Sequence, residues 1–245
     1  MRMALADAGT IGPVQKILTP HDPEDAVAAI GTFLLEQGTR PLDVVGGIAG
    51  IIRDGVVIDS PNLREWDGFA MGARLHEVLN VPVQLFNDAE LAGIAEARIG
   101  AGKGYDTVLY LTIGTGVGGT IVVKGAAKAL EPGREVLEQY GRTLESLVGG
   151  AALTKEFGMP PENLVRLVFD ERSAALAAGI DGLIREWSPD IVVLNGALMN
   201  EETAFRIQDV AGELLKRADE QMVLPPLVPA SLGDESALYG AASVA

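Results

Sequence analysis

The chain holds 245 residues, 48% of them hydrophobic, enough to build one large domain or two modest ones around a packed core. The absence of cysteine excludes disulfides and thiolate metal sites, and His21 and His76 alone are too few for a histidine-rich metal centre, so the composition fits a reducing, cytoplasmic setting. With 19 Lys and Arg against 34 Asp and Glu, the net charge of -15 repels nucleic-acid backbones and anionic membranes; no apolar run reaches the roughly 18 residues that span a bilayer, and the start, Met1-Arg2-Met3-Ala4-Leu5-Ala6-Asp7, turns acidic too soon for a signal peptide.

In chain order, Arg2 to Ala6 predicts a short strand ending in the turn Asp7-Ala8-Gly9, and Val14 to Leu18 a second extended piece. Asp22 is an N-cap with Pro23 at the first helical position, and Val27, Ile30, Leu34 and Leu35 follow at helical spacing to Gln37. Leu42 to Ile48, apolar apart from Asp43, is a run of strand length, of the kind covered on both faces, and Arg53-Asp54-Gly55 marks a hairpin into Val56-Val57-Ile58. After the loop Ser60-Pro61-Asn62-Leu63, Asp67-Gly68 opens a helix bearing Phe69, Met71, Leu75, Val78 and Leu79. Val83 to Phe86 is a second buried strand, Ala89 to Ile99 a helix, and the turn Gly100-Ala101-Gly102-Lys103-Gly104 the expected domain boundary. Helices are predicted from Glu145 and from Glu162 to Trp187, a strand over Asp190 to Leu194, a helix from Glu201 to Met222, a last apolar piece at Leu227-Val228, and a last helix over Ser236 to Val244. Strands alternating with helices indicate α/β architecture.

Two constellations carry chemistry. Gly114-Thr115-Gly116-Val117-Gly118-Gly119 follows directly from the apolar stretch Thr107 to Ile113. Four glycines in six residues let the backbone approach a ligand while consecutive N–H groups cradle an anion, and Thr115 adds a hydroxyl donor. The same residues also read as a tight hairpin, with Thr120-Ile121-Val122-Val123 as the returning strand. Asp88 follows a buried strand and opens a helix, where α/β sheets present residues to ligands. There it is placed to take a proton from an alcohol, with Asn87 fixing the geometry, or to cap the helix.

Val45-Gly46-Gly47-Ile48-Ala49-Gly50, Ser60-Pro61-Asn62-Leu63, Phe86-Asn87-Asp88-Ala89 and Leu111 to Gly119 stand in order at sensible intervals. With Val192 to Ala197, Leu232-Gly233-Asp234 and Leu238 to Ala242, they resemble the ROK family, which comprises bacterial glucokinase-type sugar kinases and sugar-responsive repressors. The resemblance implies an actin-like ATPase (ribonuclease H-like) fold of two α/β domains with a cleft between them. These are expected over residues 1–103, with the helix of 234–245 packing back, and over 104–233. It further implies Asn62 and Asn87 on sugar hydroxyls, Asp88 as the catalytic base, Gly114, Thr115, Gly116 and Gly118 toward the phosphates of ATP, and Gly196 and Ala197 near the adenosine. ATP with Mg²⁺ would be the cosubstrate. Beside these residues the glycine run reads as one jaw of a phosphate clamp rather than as a hairpin turn. Sugar and nucleotide are the expected partners, without nucleic acid or membrane, and a homodimer is compatible.

The chain departs from the family pattern twice. Family members begin with a strand and an Asp-x-Gly-Gly-Thr phosphate loop, whereas Arg2 to Asp7 resembles the strand just after it. A central strand would then be missing, leaving ladder groups unpaired, so either the start is truncated or the chain folds around the gap with kinase activity lost. Glu131-Pro132-Gly133-Arg134 resembles the family's Glu-x-Gly-His with Arg134 in the histidine's place; Glu145 matches a later glutamate, and a short connection replaces the zinc loop, so no zinc is expected. Glu131, Arg134 and Glu145 are candidate sugar contacts, Arg134 either favouring an acidic or phosphorylated ligand or standing as an exposed loop residue. The expected activity is ATP-dependent phosphorylation of a hexose-type sugar; the alternative is a catalytically impaired relative that binds sugar or nucleotide. Trp66 either stacks on a sugar or anchors its loop.

Overall fold

In the computed structural model, which describes residues 1–200, 202–219 and 222–244, β1 (Arg2–Met3), β2 (Ala6–Asp7), β3 (Thr10–Ile11) and β4 (Gln15–Lys16) form one hairpin, β1 antiparallel to β4 and β2 to β3. Ala8 and Gly9 make its tip with φ of 47° and 78°, the left-handed pair that matches strand twist. In α1 (Pro23–Gln37) the Asp22 carboxylate accepts the Glu24 N–H at 2.8 Å, and Gly38 closes the helix in the left-handed region. Next come β5 (Val44–Ile48), the hairpin of β6 (Ile51–Arg53) and β7 (Val56–Asp59), α2 (Met71–Leu79), β8 (Val83–Asn87) and α3 (Asp88–Arg98). β5 and β8 run parallel, from Val44 opposite Val83 to Ile48 opposite Asn87. Ala26, Val27, Ile48, Val57, Trp66, Met71 and Leu75 make the core around them.

Several expectations move. Leu35 and Leu42 are exposed rather than packed. α2 starts at Met71, because Asp67 donates no cap and instead accepts the Ser60 N–H at 2.7 Å. Among the described residues β5 pairs with β8 alone. Val44 N–H donates to Pro82 O at 2.9 Å, which by strand alternation turns the backbone groups of Val45 and Gly47 to the opposite edge, where they have no ladder partner.

The second half opens with β9 (Thr107–Ile113), β10 (Val117–Val123) and β11 (Ala126–Leu130), an antiparallel meander. β12 (Val136–Leu137) and β13 (Arg142–Thr143) form a small ladder, followed by α4 (Leu144–Val148), α5 (Gly150–Phe157), α6 (Arg166–Trp187), β14 (Ile191–Asn195), α7 (Ile207–Leu215), β15 (Leu227–Pro229) and α8 (Ser236–Val244). The main sheet has the order β11-β10-β9-β14-β15, with β14 parallel to both β9 and β15. α6 and α4 supply much of its cover through Phe169, Leu176, Ile180, Leu144 and Leu147, and Phe169 meets Phe205 edge-on at 5.3 Å. α6 begins at Arg166 and not at Glu162, since Pro161–Asn163 form a 3-10 turn and Leu164 and Val165 are extended. The helix predicted from Glu201 to Met222 is the shorter α7; Glu201, Glu220 and Gln221 lie outside the described residues.

The chain divides into two compact units, Met1–Ala95 with the segment from Asp234, and Glu96–Gly233. The division falls within α3, ahead of the Gly100–Gly104 turn, and Glu96 is hydrogen-bonded to Ala101, Ser231 and Leu232 of the second unit. In the first unit α8 packs on β5 and β3. Among the described residues no helix is long and apolar enough to cross a membrane.

Candidate active site

In the first unit the candidate residues gather beyond the C-terminal ends of the parallel strands β5 and β8, the end at which open α/β sheets receive ligands. Asn87 closes β8 and caps α3: its Oδ1 accepts the N–H of Ala89 at 2.8 Å and of Glu90 at 3.2 Å, while its Nδ2 donates to Gly50 O at 2.8 Å. Much of the Asn87 amide is therefore spent on local structure. Asp88 accepts the same Ala89 N–H at 2.8 Å and, among the described residues, makes no ion pair. It is exposed on one side, yet the protein around its carboxyl withdraws it from water. That desolvation raises its pKa above the ordinary 3.8, opposed by the N–H groups of Ala89 and of Asp88 itself.

Asn62 is exposed and makes no hydrogen bond to a described residue. Its loop is braced by residues that the motifs did not single out for a role. The buried Ser60 hydroxyl donates to Ala49 O at 2.8 Å, and Gly50, at φ 126°, lets the Asp59 carbonyl come so near that a Cβ would lie 2.1 Å from it. The clustering of Gly46, Gly47 and Gly50 was the available signal. At Gly47 a Cβ would meet Asp88 Cα at 3.2 Å, so the missing side chain lets α3 start close to β5. Trp66 is buried and donates to His21 O at 3.0 Å, which makes it the anchor of its loop and leaves no face for a sugar.

In the second unit the glycine run is a β-hairpin, so the hairpin turn and the phosphate clamp are not alternatives in geometry. Gly114, Thr115 and Gly116 form the tip between β9 and β10, with Gly114 N–H donating to Gly116 O at 2.9 Å. None of the four glycines has a positive φ, so conformational freedom is not their reason. A Cβ at Gly116 would lie 2.3 Å from Glu145 Oε2, which would have to move, and one at Gly119 would lie 2.8 Å from Leu111 Cδ2 and 3.0 Å from the Tyr110 carbonyl oxygen. Gly114 differs from these two: a Cβ there would meet nothing within 4 Å, so the residue faces open space.

The tip is held from below. Gly150 and Ala151, opening α5, donate to the carbonyls of Gly114 and Thr115 at 2.8 and 2.9 Å, and Glu145 Oε2 accepts the Val117 N–H at 2.9 Å. The N–H groups of Thr115 and Gly116 have no acceptor among the described residues, and with the exposed Thr115 hydroxyl they are the donors available to an anion. Gly118 lies inside the ladder opposite Thr112, past the tip, and its backbone belongs to the sheet.

Gly196 and Ala197 follow β14 at the same end of the sheet. Gly196, at φ 106°, packs against Ile113 at the base of the hairpin, and Ala197 is exposed. The 3-10 turn Pro132–Arg134 rests on β10, where a Cβ at Gly133 would lie 2.6 Å from Val117 O. This brings Glu131, Arg134 and Glu145 beside the hairpin. Arg134 is exposed and pairs with the exposed Glu131 at 3.3 Å. Magnesium held with a nucleotide needs only one or two protein carboxylates; among the described residues there is no cluster of three or more His, Cys, Asp or Glu. The hairpin tip, open at Gly114 and carrying donors, fits a phosphate group.

A carboxyl at a helix start and a donor-bearing glycine hairpin at the carboxyl end of parallel strands thus stand in an α/β protein of two compact units. Residues 1–131 match the ROK family, and the chain belongs to that family. It is similar to the glucokinase of Thermotoga maritima, 25% identical over 93% of this chain and 87% of that protein. It is 30% identical to an uncharacterized protein of Clostridium perfringens over 62% of this chain, and spans 59% of that protein's length. Among solved structures, the ROK hexokinase from Thermus thermophilus superposes with a TM-score of 0.81 at 27% identity, covering 100% of this chain and 93% of that one.

Proposed function

We propose that the protein transfers the terminal phosphoryl group of ATP to a hydroxyl of a hexose-type sugar, on an actin-like ATPase (ribonuclease H-like) fold. Family membership and the likeness to kinases support phosphotransferase activity. The observation that carries the mechanism is Asp88: Asn87 already serves the first N–H groups of α3, which leaves an ion-pair-free carboxyl of raised pKa at a helix start. A base in that condition is well matched to an alcohol proton.

In this reading Asp88 accepts the proton of the sugar hydroxyl while that oxygen bonds to the terminal phosphorus and the bond to ADP breaks. The N–H groups of Thr115 and Gly116, with the Thr115 hydroxyl, stabilise charge on the equatorial oxygens. Mg²⁺ bound with the nucleotide would neutralise phosphate charge. Asn62, the remaining N–H of Asn87, and Glu131, Arg134 and Glu145 contact the sugar; Gly196 and Ala197 line the adenosine side. A cytoplasmic setting and a homodimer complete the proposal. ADP release from Mg²⁺-ATP across a panel of hexoses and amino-hexoses tests it.

If sugar binds by calorimetry and no ADP is formed, the chain is instead a relative that binds sugar or nucleotide without turning over.

A further inference from the structure

Among the described residues Glu96 is the one charged side chain with no solvent exposure, at 0%. Among the described residues no cation pairs with it, and its carboxylate is held by hydrogen-bond donors. Oε1 accepts the N–H of Ser231 at 2.9 Å and of Leu232 at 2.8 Å, while Oε2 accepts the N–H of Ala101 at 2.7 Å and the Ser231 hydroxyl at 3.2 Å. Charge-assisted bonds of this kind are the strong ones, and four of them satisfy a buried carboxylate that would otherwise be costly. The chain is shaped to admit the group: a Cβ at Gly100 would lie 2.1 Å from Oε2.

The position is as informative as the bonding. The chain passes between its two units at Ala95–Glu96 and returns at Gly233–Asp234. One carboxylate therefore ties the outgoing segment, at Ala101, to the returning one, at Ser231 and Leu232. The returning segment is itself fixed to the sheet end that carries Gly196, since Ala230 N–H donates to Leu194 O at 2.9 Å. Glu96 and Asp88 share α3, about 12 Å apart along its axis at 1.5 Å per residue.

We propose that Glu96 is a positioning residue for phosphoryl transfer, holding the C-terminal end of α3, the helix whose first turn carries Asp88. This rests on the reading of Asp88 as the base. A displacement on the order of 1 Å costs about 10²-fold in rate. The test uses Glu96→Gln, whose amide nitrogen turns a donor toward donors, and the milder Ser231→Ala, which removes only the hydroxyl bond. Glu96→Gln, checked for folding by circular dichroism at the assay temperature, should lower kcat by about 10- to 100-fold with both KM values within about threefold. The amides of Ala101, Ser231 and Leu232 should exchange faster, and Ser231→Ala should shift kcat in the same direction by a few-fold. In the Asp88→Asn background the Glu96→Gln change should cost nothing further, because the two act as one unit. A kcat unchanged in both variants while the amides loosen, or an equal loss in the Asp88→Asn background, overturns the positioning role alone. A wild-type protein that forms no ADP overturns the kinase reading and this role with it. If Glu96→Gln does not fold, Ser231→Ala and its cycle with Asp88→Asn decide.

Discussion

Gly196→Ala is expected to destabilise the Glu96–Gly233 unit through two separate costs. At φ 106° an alanine is disfavoured by about 1–2 kcal/mol relative to glycine. Its Cβ would also lie 2.2 Å from the carbonyl oxygen of Ile113 and 2.5 Å from the carbonyl carbon. These are backbone atoms of an interior strand, and Ile113 O is further held by the Leu198 N–H at 3.0 Å, so neither side yields as the end of a side chain would. Overpacking of that kind costs about 1–3 kcal/mol. The sum, about 2–5 kcal/mol, corresponds to a fall of roughly 5–15 °C in Tm for a chain of this size. Gly114→Ala is the matched control: with open space around it and φ outside the left-handed region, it should change stability by less than about 0.5 kcal/mol. In the proposed reading its methyl would stand where a phosphate oxygen approaches, so the KM for ATP should rise while Tm holds. Scanning calorimetry and initial-rate kinetics on the pair separate the effects. A Gly196→Ala protein melting at the wild-type temperature refutes the packing argument, and an unchanged KM in Gly114→Ala removes Gly114 from the nucleotide site.

Because burial raises the Asp88 pKa, the folded state holds that proton more tightly than the unfolded chain does, and the associated stability is complete below 3.8 and lost as pH rises through the raised value. Asp88→Asn should therefore melt with the wild type below 3.8 and above it at neutral pH, with Glu90, also raised by burial, common to both proteins; melts over this range that show no gap, or the opposite one, contradict desolvation as the cause. Asn87→Ala removes the cap of α3 and the bond to Gly50, and should cost about 1–2 kcal/mol in denaturant titrations. Glu145→Ala frees the Val117 N–H, and with Glu145 partly exposed the loss should be about 1 kcal/mol, read most directly as faster exchange of the Val117 amide.

Local signals in the sequence were reliable where one residue type has one physical use. Asp22 and Pro23 open α1 as cap and first turn, and Asp54-Gly55 makes the predicted hairpin with φ of 50° and 76°. What escaped depends on partners distant in the chain. α5 has no side-chain cap because its first N–H groups are used by Gly114 and Thr115, 36 residues earlier in each case. Asp67 looks like a helix start but serves Ser60, and the glycines of the hairpin answer to Glu145 and Leu111 rather than to their own φ. At the site, Asp88 and the hairpin were legible as motifs. The supporting residues Ser60 and Glu96 were not, since a buried serine or glutamate is indistinguishable in sequence from an exposed one.

Whether Asp88 takes the proton of a sugar hydroxyl during phosphoryl transfer from ATP is tested most directly by ADP formation. Mg²⁺-ATP and the sugar that the wild type turns over are supplied to the wild type and to Asp88→Asn under the same conditions, with sugar affinity measured by calorimetry. Sugar binding should be retained and kcat lowered by about 10²- to 10⁴-fold, the range expected for loss of a general base. Equal turnover by the two proteins would return Asp88 to the role of a helix-end carboxylate and contradict the mechanism.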